Sequence, residues 1–326
     1  MHMTNTAHPF RRLIPLVALA AASATIFLGG CSATKSTAIE LAMPENVSAL
    51  AIDVKNFRGS VEVRADKRVH AISIESSVGV EKSKEHNAEA ILAGINVNAD
   101  VVDVGGGRGV LKVVTTTGSP EDEDQQVSLT IRVPKCDGVH VDNRGGTVMV
   151  VGTGGALSIT NRVGAVEFRT DKPITDPVSI TTTDGNIYYQ IPPGSSGLFD
   201  LQTLKGECSY NDRATTESTD AYSTKTVVKM RLADGGNPVV ARTNDGDIFV
   251  YVRNDPIALT RVIKKSAPDF NDYMWLDGSQ RFMRNLPDNE PHPFDPNNGR
   301  VPSAPVDSNP APSTAPVTTT AAPATH

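Results

Sequence analysis

Apolar and polar residues alternate with period two through most of this chain, in short runs punctuated by glycine. Six segments fit one twelve-residue template: 52–63 (IDVKNFRGSVEV), 139–150 (VHVDNRGGTVMV), 157–168 (LSITNRVGAVEF), 178–189 (VSITTTDGNIYY), 199–210 (FDLQTLKGECSY) and 239–250 (VVARTNDGDIFV). Positions 1 and 3 are apolar, as in Ile52 and Val54 or Val178 and Ile180. Position 5 is Asn or Thr: Asn56, Asn143, Asn161, Thr182, Thr203 and Thr243. Position 8 is glycine in every copy: Gly59, Gly146, Gly164, Gly185, Gly206 and Gly246. Positions 10 and 12 are mostly apolar again. Alternation predicts strands that bury one face. The glycine permits a positive φ at a tight turn between the two triplets. Neither triplet can bury its apolar face alone, so the copies must stack or fold together.

Copies starting at 139, 157, 178 and 199 are spaced by 18, 21 and 21 residues. The next step, to 239, is 40 residues, and Lys225 to Leu232 (KTVVKMRL) supplies an irregular strand within it. A period near 20 fits two packings. In a β-solenoid or β-helix-like array, each copy is one coil, stacked ~4.8 Å from the next. In a meander or sandwich, the copies are antiparallel hairpins. Asn or Thr at one fixed slot favours the solenoid. Like residues would then form a ladder inside the turns and bond backbone groups that lack sheet partners.

The stretch 65–135 is less regular. Val69 to Ile74, Val110 to Thr115 and Val127 to Val133 read as strands, Ser83 to Leu92 as a short helix or polar loop, and Glu121 to Asp124 as an acidic loop. This resembles a β-sandwich-like lead-in to the repeats. The predicted fold class is all-β.

The ends differ from the centre. Arg11 and Arg12 precede an apolar run from Leu13 to Leu28, then Gly29-Gly30-Cys31-Ser32. The run is short for a membrane span and suits a signal h-region. Its ending resembles the lipobox of bacterial lipoproteins, which implies removal of residues 1–30 and a diacylglycerol with further acyl chains on Cys31. Ser32 in the second mature position implies an outer-membrane address. Residues 31–48 read as a linker and 49–252 as the β domain. Residues 253–294, with Phe270, Tyr273, Trp275 and Phe282, read as an extension that could cap the open end of the stack. Of the 22 prolines, 12 lie from Pro256 onward, which excludes a second packed domain there. Residues 295–326 read as a disordered Pro/Thr/Ala-rich tail.

Composition narrows the partners. Net charge is −6. Residues 1–30 hold two basic and no acidic residues, so a chain starting at Cys31 carries 29 basic against 37 acidic residues, a net −8. A nucleic-acid partner is excluded because phosphate contacts need clustered Lys and Arg. Two other cysteines, Cys136 and Cys208, are too few for a stapled scaffold, and Cys208 falls at an apolar template slot.

Val127 to Pro134 (VSLTIRVP), Val139 to Asn143 (VHVDN), Gly146, Val148 and the repeated Asp-Gly-[Asn/Asp]-Ile units resemble the "putative adhesin" domain of bacterial envelope proteins, over about residues 50–252. The resemblance implies an envelope binding module and brings no catalytic residues with it.

Sharper chemistries find little support in the sequence. Thr183-Asp184-Gly185-Asn186 and Asn244-Asp245-Gly246-Asp247 resemble pieces of calcium-binding repeats. The aligned copies, however, carry Arg58, Gly145, Val163 and Lys205 in place of the aspartate, so no carboxylate ladder forms and a turn role is expected. Arg144 and Arg162 share position 6 and could form a basic strip beside an acidic glycan, as in a polysaccharide lyase, but no partner base or carboxylate can be assigned. His140 takes an outward slot as a solvated strand residue. Gly105 to Gly109 reads as a hairpin turn, since a strand follows it where a phosphate loop needs a helix. Ser195 lacks the setting of a nucleophile elbow. The expectation is a non-catalytic, lipid-anchored envelope protein with a binding, adhesion-like or structural β module. The alternatives are a polysaccharide-active β-helix enzyme and a periplasmic assembly or sensory part. No metal and no cofactor are expected beyond the lipid on Cys31, and the partners are the membrane and an envelope protein or glycan.

Overall fold

The computed structural model describes residues 21–29, 32–81, 88–118, 125–212 and 218–257. Cys31 and nearly all of the predicted extension and tail lie outside them.

The fold is all-β with one short helix. In chain order the elements are β1 (Ala21–Gly29), β2 (Ser32–Leu41), β3 (Ala49–Asn56), β4 (Val61–Ala65), β5 (Ile72–Glu81), α1 (Ala88–Gly94), β6 (Asn96–Gly105), β7 (Arg108–Thr116), β8 (Gln125–Val133), β9 (Asp137–Asn143) and β10 (Val148–Val151). They continue with β11 (Gly154–Val163), β12 (Val166–Arg169), β13 (Val178–Asp184), β14 (Ile187–Ile191), β15 (Gly197–Lys205), β16 (Cys208–Asp212), β17 (Ser218–Ser223), β18 (Val227–Leu232), β19 (Pro238–Asp245) and β20 (Ile248–Val252).

Two ten-stranded mixed sheets face one another. Sheet I runs β1-β2-β5-β8-β4-β10-β12-β14-β20-β16, and sheet II runs β17-β18-β15-β19-β13-β11-β9-β3-β7-β6. Every template copy gives its first triplet to sheet II and its second to sheet I. The two halves of a copy therefore do not pair as a hairpin would. Copies pair in parallel and in register instead: Ile52 opposite Val139, Val139 opposite Leu157, Leu157 opposite Val178, Val178 opposite Val239. The apolar positions of both triplets point between the sheets. There Val54, Val61, Val63, Val141, Val148, Ile159, Val166, Ile180 and Ile187 are at most 1% exposed. Such small β-branched side chains suit the pleated surface and fill a narrow interior. Larger side chains enter it at the stacked rings of Phe168 and Tyr189, 5.2 Å apart.

Sequence order and spatial order part company at both ends. The copy at 239–250 sits between those at 178–189 and 199–210, so β19 and β20 separate β13 and β14 from β15 and β16. At the other end β7 and β8 pair in parallel with the far side of β3 and β4. The stretch read as a sandwich-like lead-in therefore contributes one more layer of the same kind. The template misses it because eight residues, rather than a single glycine turn, separate its two strands. Antiparallel strands finish three of the sheet edges: β6 on β7, β5 and β2 beyond β8, and β18 and β17 beyond β15. The strand read from Val69 begins only at Ile72, and the short helix falls at Ala88–Gly94. Ser32–Leu41, inside the stretch read as a linker, is a strand bound along its length to β5.

The turns are held by two columns, the first of them buried. Position 5 lines up as Thr115, Asn56, Asn143, Asn161, Thr182, Thr243 and Thr203, all 1–6% exposed. Asn56 Nδ2 donates to Asn143 Oδ1 (3.1 Å) and Asn143 Nδ2 to Asn161 Oδ1 (3.0 Å). Asn143 also donates to the Gly145 carbonyl and Asn161 to that of Gly164. Thr243 and Thr203 donate to the carbonyls of Gly185 (3.0 Å) and Gly246 (2.7 Å). The ladder thus satisfies turn carbonyls that no strand reaches. Beside it runs the glycine column. A Cβ on any of the six would lie 2.1–2.5 Å from a carbonyl oxygen of the layer below.

Candidate binding face

The outward side of sheet II carries a shallow trough of about 600 Å³. Its floor comes from the residue before position 1 in successive layers: Ala51, Gly138, Ala156, Pro177 and Pro238. All are small or ring-closed, which is why the sheet dips there. Position 2 forms the adjoining row. Parallel register sets Asp53, His140, Ser158, Ser179 and Val240 side by side on five neighbouring strands. Arg108 stands at one end. Both rows were legible as template slots, but the apolar template hid them because they are the positions it leaves open.

Asp53, His140 and Ser158 are the residue types of an orienting acid, a base and a nucleophile. Among the described residues no hydrogen bond joins any two of them. What the trough offers is a line of polar groups at strand spacing, ~4.8 Å apart, over a floor with little side-chain bulk.

The other candidates of the sequence are distributed differently. Arg144 and Arg162 are exposed neighbours at the ends of β9 and β11. The residues after the turn glycines bridge layers: Asp247 N donates to Asn186 Oδ1 (2.7 Å) and Glu207 N to Asp247 Oδ1 (2.8 Å). Those Asn and Asp side chains therefore act as backbone acceptors, a role the calcium-like spelling concealed. Ser195 is buried, and its Oγ accepts from Ile174 N at 3.1 Å. Cys136 and Cys208 are free thiols. Burial pushes the first up to about 12 and the second to about 11, so both stay protonated at neutral pH.

The outward side of sheet I has a different chemistry. Successive strands present Glu62 and Arg64, Met149 and Val151, Glu167 and Arg169, Tyr188 and Gln190, then Phe249 and Tyr251. Glu62 pairs with Arg64 at 2.7 Å, and Glu167 pairs with Arg169. The rings of Tyr188 and Phe249 stack at 5.3 Å, Phe249 and Tyr251 at 6.4 Å, and the Arg253 guanidinium lies 4.3 Å over Tyr251.

No protein-family model and no curated protein matches the chain. Among solved structures it is similar to a "putative cell adhesion protein" from Clostridium sporogenes ATCC 15579, at 10% identity and TM-score 0.45, over 68% of this chain and 100% of the other. It is also similar to a "putative adhesin" from Bacteroides fragilis NCTC 9343, at 9% identity and TM-score 0.24, over 68% of this chain and 97% of that one. A third such similarity is to a "putative adhesin" from Parabacteroides merdae ATCC 43184, at 11% identity and TM-score 0.20, over 67% and 96% of the two chains.

Proposed function

We propose that this chain is a lipid-anchored, non-catalytic protein of the cell envelope. In this reading its layers are the coils of a two-sided β-solenoid, and the trough on sheet II binds an envelope glycan or protein. The observation that carries the reading is the trough itself. Polar groups repeat at strand spacing over a small-residue floor, a surface suited to an extended polar partner that offers groups at regular intervals. In-register parallel pairing of every copy supports the solenoid.

The anchor rests on the sequence ending at Cys31. Cleavage before Cys31 would also remove β1 and leave β2 as the edge of sheet I, with the lipid one residue from its first hydrogen bond. Two or more acyl chains hold a protein stably at ~0.8 kcal/mol per buried methylene. Cells fed a labelled fatty acid should therefore incorporate it into the wild type and not into Cys31→Ser, which should leave the membrane fraction. Label retained by Cys31→Ser would exclude this anchor.

The trough is tested by filling it. Ala156 points outward on the floor, so Ala156→Trp adds bulk without touching the core. Binding of the purified protein to isolated envelopes of its host should fall at least tenfold, with an unchanged circular dichroism spectrum. Undiminished binding by a folded Ala156→Trp chain would move the contact off this face.

A further inference from the structure

The outward side of sheet I is buried, although no described element lies over it. Met149, Arg169, Tyr188, Gln190, Phe249 and Tyr251 all point away from the core, yet they are 1–8% exposed. The elements that pack substantially against their strands are sheet neighbours and the opposite sheet, on the inward side. The corresponding outward residues of sheet II behave differently: His140, Asp142, Thr160 and Thr181 are exposed. Gln190 adds a second sign. Its Nε2 is buried and has no hydrogen-bond partner among the described residues. Arg169, Tyr188, Tyr251 and Arg253, in contrast, all have partners beyond those named above.

We propose that residues 258–286 of the same chain form the cover, laying their aromatic residues across this face. The described chain ends at Ile257, five residues beyond β20, the strand that carries Phe249 and Tyr251. Arg253 N still bonds the Ile191 carbonyl at 2.9 Å, and its guanidinium caps Tyr251, so the chain leaves the fold at the aromatic cluster. The next residues include Phe270, Tyr273, Trp275, Leu276 and Phe282. Those aromatic and apolar side chains match a face of stacked rings. Reach is ample: β20 to β4 is four strand spacings, ~19 Å, which about six extended residues span. The segment thus covers a flank of the stack rather than its open end, and the three rings gain an apolar partner instead of water.

Trp275 is the only tryptophan in the chain, so its fluorescence reports on this segment alone. The full chain, purified from its host in mild detergent, is examined by emission maximum and acrylamide quenching. The expected result is blue-shifted emission that acrylamide quenches weakly. In Phe249→Ser, and separately in the milder Tyr188→Ser, emission should move to that of a water-exposed indole and quenching should rise severalfold. Water-exposed emission from the unmodified chain overturns the proposal, whatever the variants do. So does buried emission that neither folded variant changes. A second copy as the cover would leave Trp275 exposed while the particle has twice the monomer mass and dissociates on Phe249→Ser, and that result also overturns it.

Discussion

Gly185→Ala is expected to cost about 3 kcal/mol or more, and the measurement that checks it is a chemical or thermal unfolding curve. Two effects add. Gly185 sits at φ +145°, a conformation that L residues rarely adopt. Its added Cβ would also lie 2.2 Å from the Gly164 oxygen and 2.5 Å from the carbonyl carbon. The obstacle is backbone, not a side chain that can swing away. Relief would require β13 to part from β11, and their paired strands run in register from Val178 to Asp184. For a domain of this size, 3 kcal/mol lowers the midpoint by roughly 6–12 °C. Gly94 is the control: a Cβ there meets nothing within 4 Å, so Gly94→Ala should change the midpoint little. A Gly185→Ala protein as stable as the Gly94→Ala one would refute the close backbone packing.

Asn143→Leu should be nearly as damaging, for a different reason. Asn143 is 1% exposed and stands in the middle of the ladder. It accepts from Asn56, donates to Asn161 Oδ1 and donates to the Gly145 carbonyl. Leucine keeps the branched shape, is larger, and removes all three bonds. Asn161 Oδ1 loses its donor in a dry interior, at about 1–3 kcal/mol, while the Gly145 oxygen keeps Gly59 N at 2.7 Å. Asn56 suffers less, because its amide also reaches the Val127 carbonyl at 3.0 Å. With the strain of the larger side chain added, a total loss of about 3 kcal/mol follows. Thr243→Val makes the comparison, since it removes one bond, to the Gly185 oxygen, and should cost about 1 kcal/mol. Equal losses in the two variants would mean that the ladder does not act as a connected network.

Much of the architecture was legible because the two periodicities are coupled. Alternation identified the strands, and Gly with Asn or Thr at fixed offsets identified the turns. Residues that pair like with like, as Asn143 with Asn161, leave a trace at a constant slot. Three things left no such trace. The order of layers is hidden because every copy carries the same apolar slots, so the copy at 239–250 fits beside any other. The layer of β7 and β8 is hidden because its connection is long. Strand β2, SATKSTAIEL, is polar and small, and only its pairing with β5 makes it a strand. The trough was overlooked for a related reason. Ala51, Ala156 and Pro177 matter through the bulk they lack, and a search for charged or nucleophilic residues passes over them.

The placement of β19 and β20 has a consequence for how the chain is made. During synthesis or export from the N-terminus, β13 and β14 emerge before β15 and β16, and β15 can pair with β18 as soon as it follows. The slot between these two blocks must stay open until residues near 250 arrive, so the keystone is delivered last. Until then two parallel edges stand unsatisfied, a hazard for pairing with another molecule. The same crossing limits how such a protein can grow. Extra layers inserted within 137–191, where neighbours in sequence are neighbours in space, would leave both crossed ends intact, whereas duplication near either terminus would disturb a wedge.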